Sequence, residues 1–435
     1  MAKWSVTGLL GIATRAVLIA LVLFVTLIGF LYLTRGTSVR HVRSVGSESE
    51  VVAPHEPYFA LNVAVLTGTV LTAGNRVELA LNGDGTFPRL WEDLRGARQS
   101  ITVQVYYGKP GRVADSLMQI LVERAAAGVS VYVLYDAFGT EGVTEEARAT
   151  LERAGVRVVP FRPFRFSTLF VLQNRSHVRG IVIDGRIGWT GGFGIDDKWL
   201  GDGVSDGAWR ETNVRFEGPA VRQLQAAFVA AWTEATGVMA SGRATIDRHE
   251  DGVATAGLLY ASPTLGSTAA ERFVALSIAA AQKTLYVTNA YFAPDENFVE
   301  LLAGAAERGV DVRLLVGGTG TDVRLARAAG RARYGALLGA GVRIYEWRNF
   351  TLHSKTFVVD GLWSTVGTMN FDNRSLALND EVSLMVLDST FGRQMDSLFT
   401  ADLRYADEII AEQFARRGWW DRVKEWGAKR LTRVL

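Results

Sequence analysis

Cysteine is absent from the chain, which excludes disulfides, thiolate zinc sites and a cysteine nucleophile. Histidine is scarce, five in 435 residues. Three of these, His41, His55 and His249, lie in polar stretches with no H-E-x-x-H or comparable spacing. A zinc site built from the protein's own side chains is therefore not expected. An excess of either charge is also missing. With 47 Lys and Arg against 45 Asp and Glu, the net charge is +2, and the body has no long basic block. That weighs against DNA or RNA as a partner. The composition is that of a folded protein, 48% apolar and 21% charged, at a length that suits two domains or one large pseudo-symmetric body.

The two ends differ from the middle. From Ala16 to Leu33 the chain reads "AVLIALVLFVTLIGFLYL" without a charge, long enough for a transmembrane helix and longer than a signal-peptide core. No small-x-small cleavage site follows, so residues 16–34 are expected to form a retained anchor after a short flank (1–15). Lys3 and Arg15 precede the span, and Arg35, Arg40 and Arg43 follow it, so the positive-inside rule barely separates the two orientations. A polar linker occupies 35–60. At the other end (411–435), Trp419, Trp420, Val423 and Trp426 share a broad helical arc with Arg422, Lys429 and Arg433 beside it. Such a helix suits a lipid headgroup region or a face of the protein's own body, and both readings are open.

Between the ends the chain repeats itself. "ARQSITVQVYY" (97–107) matches "AQKTLYVTNAYF" (281–292), and "LVERAAAGVSVYVLYD" matches "LAGAAERGVDVRLLVGG". Gly128 and Gly309 fall where a helix would stop before its strand. Alternation of strand and helix predicts an α/β sheet in each half. The halves are placed at 61–245 and 258–410, joined by 246–257.

Each repeat closes on a shared pattern. "SHVRGIVIDG" (176–185) and "LHSKTFVVDG" (352–361) align without a gap through Gly194 and Asn370. In a strand, positions i and i+2 share a face, so His177 projects with Arg179, and His353 with Lys355. An imidazole beside a cation on an otherwise apolar face is costly to bury unless an anion joins it. Either a carboxylate neutralises the pair or the site is made for phosphate.

H-x-K-x4-D occurring twice, each copy followed by a glycine-containing segment, resembles the phospholipase D superfamily. "LHSKTFVVDGLWSTVGTMNFDNRSLALNDEV" is similar to the second motif of bacterial cardiolipin synthases. "GGFGIDDKWLGDG", "WRETNVRFEGPAVRQLQAAF" and "NAYFAPDENFVELLAGAAERGVDVRLL" resemble the same branch, and the similarity runs from near Val77 to near Leu403. It implies an α/β fold of two pseudo-symmetric halves sharing one central active-site cleft, here with an N-terminal transmembrane helix. It also implies metal-independent chemistry without a cofactor. One of His177 and His353 attacks phosphorus to give a phosphohistidine and the other serves as acid and base, in an order the sequence leaves unassigned. By the same resemblance Arg179, Lys355 and Asn370 stabilise phosphoryl charge, while Glu211 and Glu381 orient the imidazoles. Asp184 and Asp360 complete the motifs. Each precedes a glycine, so a turn role stands beside direct chemistry.

The first copy departs twice. Arg179 replaces the family's lysine, which keeps the charge in a different geometry. Gly194 stands where Asn370 does, removing a side-chain donor that only a backbone N–H could replace. The function implied is a membrane-anchored phosphatidyltransferase of a bacterial plasma membrane. Its substrates would be phosphatidylglycerol or similar phospholipids, and no nucleic acid is implied. Phospholipase D-type hydrolysis and non-catalytic binding of anionic lipid are the alternatives.

Overall fold

The computed structural model describes residues 6–33, 39, 40, 42, 51–140, 143–164, 173–205, 207–240, 250–264, 266–430 and 432. A long helix α1 (Val6–Leu33) and a short α2 (Phe59–Thr67) precede the first half. That half contains β1 (Thr72–Leu81), α3 (Asn82–Gly96), β2 (Ser100–Val105), α4 (Arg112–Ala126), β3 (Ser130–Asp136), α5 (Glu145–Arg153), β4 (Arg157–Phe161), β5 (Gly180–Ile183), β6 (Ile187–Gly191), β7 (Thr212–Glu217) and α6 (Val221–Thr236). The second half opens with β8 (Ala254–Ala261), α7 (Ala269–Ala280), β9 (Thr284–Asn289), β10 (Phe292–Ala293), α8 (Glu296–Glu307) and β11 (Asp311–Val316). It continues through α9 (Arg324–Gly339), β12 (Arg343–Trp347), β13 (Lys355–Val359), β14 (Trp363–Gly367), β15 (Phe371–Asp372), β16 (Glu381–Leu387) and α10 (Ser389–Asp402). The chain ends in β17 (Ala406–Glu408), α11 (Ala411–Ala415) and α12 (Trp419–Arg430).

Fifteen strands form one sheet whose centre is the antiparallel β8–β1 pair. Outward from that pair, one half runs β1-β7-β6-β5-β2-β3-β4 and the other β8-β16-β14-β13-β9-β11-β12, with β17 added at the edge. The order matches strand for strand, which is the pseudo-twofold relation expected from the repeats. β8 starts inside the segment read as the join, so hydrogen bonding continues from one half into the other.

The local code is equally repetitive. α4 and α8 stop just before Gly128 and Gly309, which hold φ of +88° and +92°, the left-handed region glycine enters without steric cost. The parallel strands β2–β3–β4 and β9–β11–β12 are bridged by helices and read as buried apolar runs. β5 turns into β6 through Asp184 and Gly185, both at positive φ, as β13 turns into β14 through Asp360 and Gly361. Two consecutive positive φ values are the mark of a primed hairpin turn, which explains the Asp-Gly dipeptides. Each half has its own core. A third core joins Val182, Val214 and Phe216 of the first half to Val366, Leu384 and Met395 of the second.

Among the described residues no helix is long and apolar enough to cross a membrane. The anchor expected over 16–34 is thus not shown. α12 packs its Glu425 and Ala428 side on the body, Glu425 meeting Arg331 of α9 at 3.2 Å and Arg417 at 2.8 Å. Trp419, Trp420, Val423 and Trp426 lie on the opposite side, 72%, 55%, 47% and 62% exposed.

Candidate active site

His177 lies just before β5 and His353 just before β13. Each is fixed by a parallel bridge that crosses between halves. Ser176 pairs with Asp380 and Leu352 with Arg210; His177 N–H donates to the Asp380 carbonyl at 2.9 Å, and His353 N–H to the Arg210 carbonyl at 2.8 Å. Asp380 and Arg210 immediately precede Glu381 and Glu211, so each bridge delivers a carboxylate to the histidine of the other half. Nδ1 of His177 lies 2.9 and 3.0 Å from the two oxygens of Glu381. Nδ1 of His353 lies 2.6 Å from Glu211 Oε2. The pairing is crossed, and neither half contains a complete histidine–carboxylate pair.

Both pairs are buried and face a cavity of about 370 Å³ lined by His177, Arg179, His353 and Asn370. Burial, reinforced by Arg179, Lys355 and Arg374, holds the His177 ring well below its ordinary pKa. Burial together with Lys355 and Arg179 does the same for His353. Burial also raises both carboxylates, Glu381 to about 7. Neutral imidazoles follow. With Nδ1–H donated to a carboxylate, the lone pair sits on Nε2, as a nucleophile or base requires. Arg179 Nη1 is 3.1 Å from His177 Nε2, and Lys355 Nζ is 3.0 Å from His353 Nδ1 and also donates to the His353 carbonyl. Burial lowers Lys355 to about 7, against the pull of Glu211. Asn370 lines the cavity and its buried Oδ1 has no hydrogen-bond partner among the described residues.

Two motif members lie elsewhere. Asp184 accepts from the backbone amides of Arg98, Gln99 and Ser100 at 2.7–3.2 Å. Asp360 accepts from those of Gln282, Lys283 and Thr284 at 2.7–3.4 Å. Neither lines the cavity. Their carboxylates staple the hairpin turn to the start of β2 or β9, so direct chemistry, one of the two roles considered for them, has no geometric support.

Gly194 is also outside the lining. A Cβ there would come within 2.6 Å of the Trp199 ring. Trp199 occupies the position that Ser375 holds in the second half, and its Nε1 donates to Glu211 Oε2 at 3.2 Å. Trp209, two residues before Glu211, answers to Asn379, two residues before Glu381. The first copy has exchanged small polar groups for indoles, and Gly194 is the space that one indole needs. His353 therefore stands against Trp199 and Trp209, with ring centroids 5.4 and 5.1 Å away. His177 stands against Tyr106 at 4.8 Å, and its partner Glu381 accepts from Asn379 Nδ2 at 3.4 Å. Sequence reading did not single out Tyr106, Tyr107, Lys198, Trp199, Trp209, Tyr291, Asp372 or Arg374, all of which line the cavity. Extending the gapless alignment five residues beyond Gly194 and Asn370 would have found Lys198 opposite Arg374 and Trp199 opposite Ser375.

Two histidine–carboxylate pairs from duplicated halves thus converge on one cavity, and the chain that carries them has known relatives. The sequence profile described as "Cardiolipin synthase, PLD-like domain" matches residues 90–232 and 275–403. The chain belongs to that family. A cardiolipin synthase of Halalkalibacterium halodurans is 32% identical over 377 residues, covering 85% of this chain and 74% of that protein. One from a Geobacillus species is 35% identical, covering 81% of this chain and 71% of that protein. Among solved structures, a phosphatidylserine synthase of Haemophilus influenzae aligns with a TM-score of 0.63 at 15% identity, over 86% of this chain and 97% of that one, a likeness of fold. The protein is accordingly an enzyme of the phospholipase D superfamily, a phosphatidyltransferase of cardiolipin synthase type.

Proposed function

We propose that this cardiolipin synthase-family enzyme moves a phosphatidyl group from one phosphatidylglycerol to a hydroxyl of another at the membrane surface. The crossed His177–Glu381 and His353–Glu211 pairs, opening on one cavity, carry this reading. In the first step Nε2 of one imidazole attacks phosphorus. A P–N bond forms, the P–O bond to glycerol breaks, and the second imidazole gives its proton to the departing oxygen. In the second step the acceptor hydroxyl attacks the same phosphorus while that imidazole takes its proton, and the P–N bond breaks. The incoming anion supplies the counter-charge that allows the acid imidazole, neutral in the empty site, to carry a proton. Arg179, Lys355 and Asn370 face the developing charge on the phosphoryl oxygens.

Two features support a membrane setting. α1 carries exposed Val, Leu, Ile and Phe throughout residues 17–27, an apolar surface that suits contact with lipid. The Trp-rich arc of α12 points away from the body, with Arg422, Lys429 and Arg430 beside it, the arrangement of a helix seated among lipid headgroups. Full-length protein in mixed micelles with phosphatidylglycerol should yield cardiolipin and free glycerol, and His177→Ala and His353→Ala should each abolish both. Phosphatidic acid with glycerol would instead mark hydrolysis. Binding without turnover would refute an enzymatic role.

A further inference from the structure

Lys198 sits on a single turn of 3-10 helix, Asp197–Trp199, that is held from several sides. Asp196 caps it through the Lys198 amide at 3.1 Å. The Asp197 carboxylate takes the Val113 amide at 3.0 Å and Arg112 Nε at 3.2 Å. Trp209 N–H donates to the Lys198 carbonyl at 3.0 Å, and Trp199 is seated against Gly194. The ammonium is thereby placed in an aromatic frame that lines the catalytic cavity. Nζ is 3.8 Å from the ring centroids of Tyr107 and Trp209 and 4.5 Å from Trp199.

Among the described residues Nζ makes no hydrogen bond or ion pair. Its surroundings explain why this is costly. Burial lowers Lys198 to about 8; Asp196 and Asp322 pull the other way, and Lys109 and Arg179 add to the lowering. Asp322 already takes the Tyr291 hydroxyl at 2.9 Å. Arg374, the counterpart of Lys198, is used differently. It acts on His177 and Asp372, beside Glu381, and donates to the Gln173 carbonyl at 3.3 Å. Of the two cavity cations outside the motifs, Lys198 is the one whose charged end makes no hydrogen bond among the described residues.

The proposed transfer brings in a second anion. A phosphatidylglycerol acceptor carries its own phosphodiester one glycerol unit from the hydroxyl that attacks. That charge must lie within the same cavity as the phosphohistidine, beyond the reach of groups already holding the first phosphoryl. The two indoles that frame Lys198 are the two that wall His353.

We propose that Lys198, framed by Tyr107, Trp199 and Trp209, is the subsite for the phosphodiester of an anionic acceptor lipid, and so sets selectivity for such acceptors over neutral alcohols and water. The inference rests on the transfer reading above and deepens it. The held turn makes it a pre-organised site, whose ordering cost is met on folding rather than on binding.

The test is competition between acceptors. With phosphatidylglycerol in mixed micelles and ethanol added, wild-type protein forms both cardiolipin and phosphatidylethanol. Lys198→Met should lower the cardiolipin to phosphatidylethanol ratio by roughly tenfold or more, the worth of a charge-assisted contact. Lys198→Arg should restore most of it. An unchanged ratio in Lys198→Met, whether or not total turnover falls, overturns the proposal. A second measurement does not depend on turnover. In a His177→Ala background, calorimetric titration with monomeric short-chain phosphatidylglycerol should find two equivalents bound per chain, and one after Lys198→Met. Two equivalents in both proteins, or one in both, overturns the subsite. Wild-type protein that makes neither product, yet whose His177→Ala form loses one equivalent with Lys198→Met, would refute the transfer reading and retain the anion site.

Discussion

Replacing Glu381 with Gln should disable His177, on the other half of the chain, and leave the Nδ1 proton of His353 in place. The wild-type carboxylate spans Nδ1 of His177 at 2.9 and 3.0 Å, which, when it is ionised, selects the tautomer with the lone pair on Nε2. An amide of the same shape can turn its NH₂ toward Nδ1 and stabilise the opposite tautomer, putting the proton where the phosphorus should be. It also removes a negative charge from a site where Arg179, Lys355 and Arg374 already oppose protonation of His177. Loss of a carboxylate that orients an imidazole costs ~10²-fold where it only positions the ring and ~10⁴-fold where it fixes the tautomer, or about 2.7–5.4 kcal/mol. Because Glu381 contacts His177 and not the reacting phosphate, the loss should fall on kcat with little change in KM. Selective ¹⁵N labelling of the five histidines gives the decisive reading. Glu381→Gln should shift the ring signals that vanish in His177→Ala, and Glu211→Gln those that vanish in His353→Ala. If each substitution moved the histidine of its own half, the crossed pairing would be wrong. A kcat loss under fivefold would refute the tautomer argument.

Gly194→Asn, which restores the residue of the second half, should destabilise the fold by ~1–3 kcal/mol because its Cβ would meet the Trp199 ring; thermal unfolding in detergent checks this, and adding Trp199→Ser should recover part of the loss. Asp184→Ala strips an acceptor from three backbone amides and should cost ~1–3 kcal/mol of stability by the same measurement with KM for lipid unaltered, as expected of a staple and not of a catalytic group. Lys355→Met should raise stability most at and below pH 7, with the gain fading toward pH 10.5. The folded-state pKa of about 7 lies below the unfolded one, so the lysine opposes folding in full where both states are protonated and progressively less up to the unfolded pKa; unfolding midpoints at pH 6.5 and 9.5 test the sign. Replacing Trp419, Trp420 and Trp426 together with Ser should reduce turnover on phosphatidylglycerol vesicles several-fold while sparing turnover in detergent micelles.

Much of this architecture was legible because it is written twice. Gly128 and Gly309, the Asp-Gly turns and the apolar runs of β5 and β13 occur at matching places, and each follows a local rule that needs no knowledge of the partner half. His177, Arg179, His353, Lys355 and Asn370 stood out for the same reason; His177, Arg179, His353 and Asn370 line one cavity, and Lys355 lies behind its wall against His353. The crossing of the carboxylates was not legible. It depends on the bridges Ser176–Asp380 and Leu352–Arg210, which are tertiary and leave no periodicity. Asp184 and Asp360 belong to the motif by spacing; the glycine after each pointed to a turn, and the three amides around each show which backbone the carboxylate holds. Lys198, Trp199 and Trp209 were hidden by substitution. The first half trades serine and asparagine for indoles and lengthens the loop before Glu211, so the repeat looks degraded where it has specialised.

The crossed carboxylates make timing part of the enzyme. A growing chain that has folded its first half already displays His177 and Arg179, with Glu381 still to be made, and its Glu211 waits for a histidine in the second half. Lipid met during synthesis thus finds an unassembled pair of half-centres, and cleavage waits until the Ser176–Asp380 bridge brings Glu381 to His177. Either fragment made as a separate chain lacks a complete histidine–carboxylate pair, so the same arrangement that joins the halves keeps the catalyst inert until it is whole.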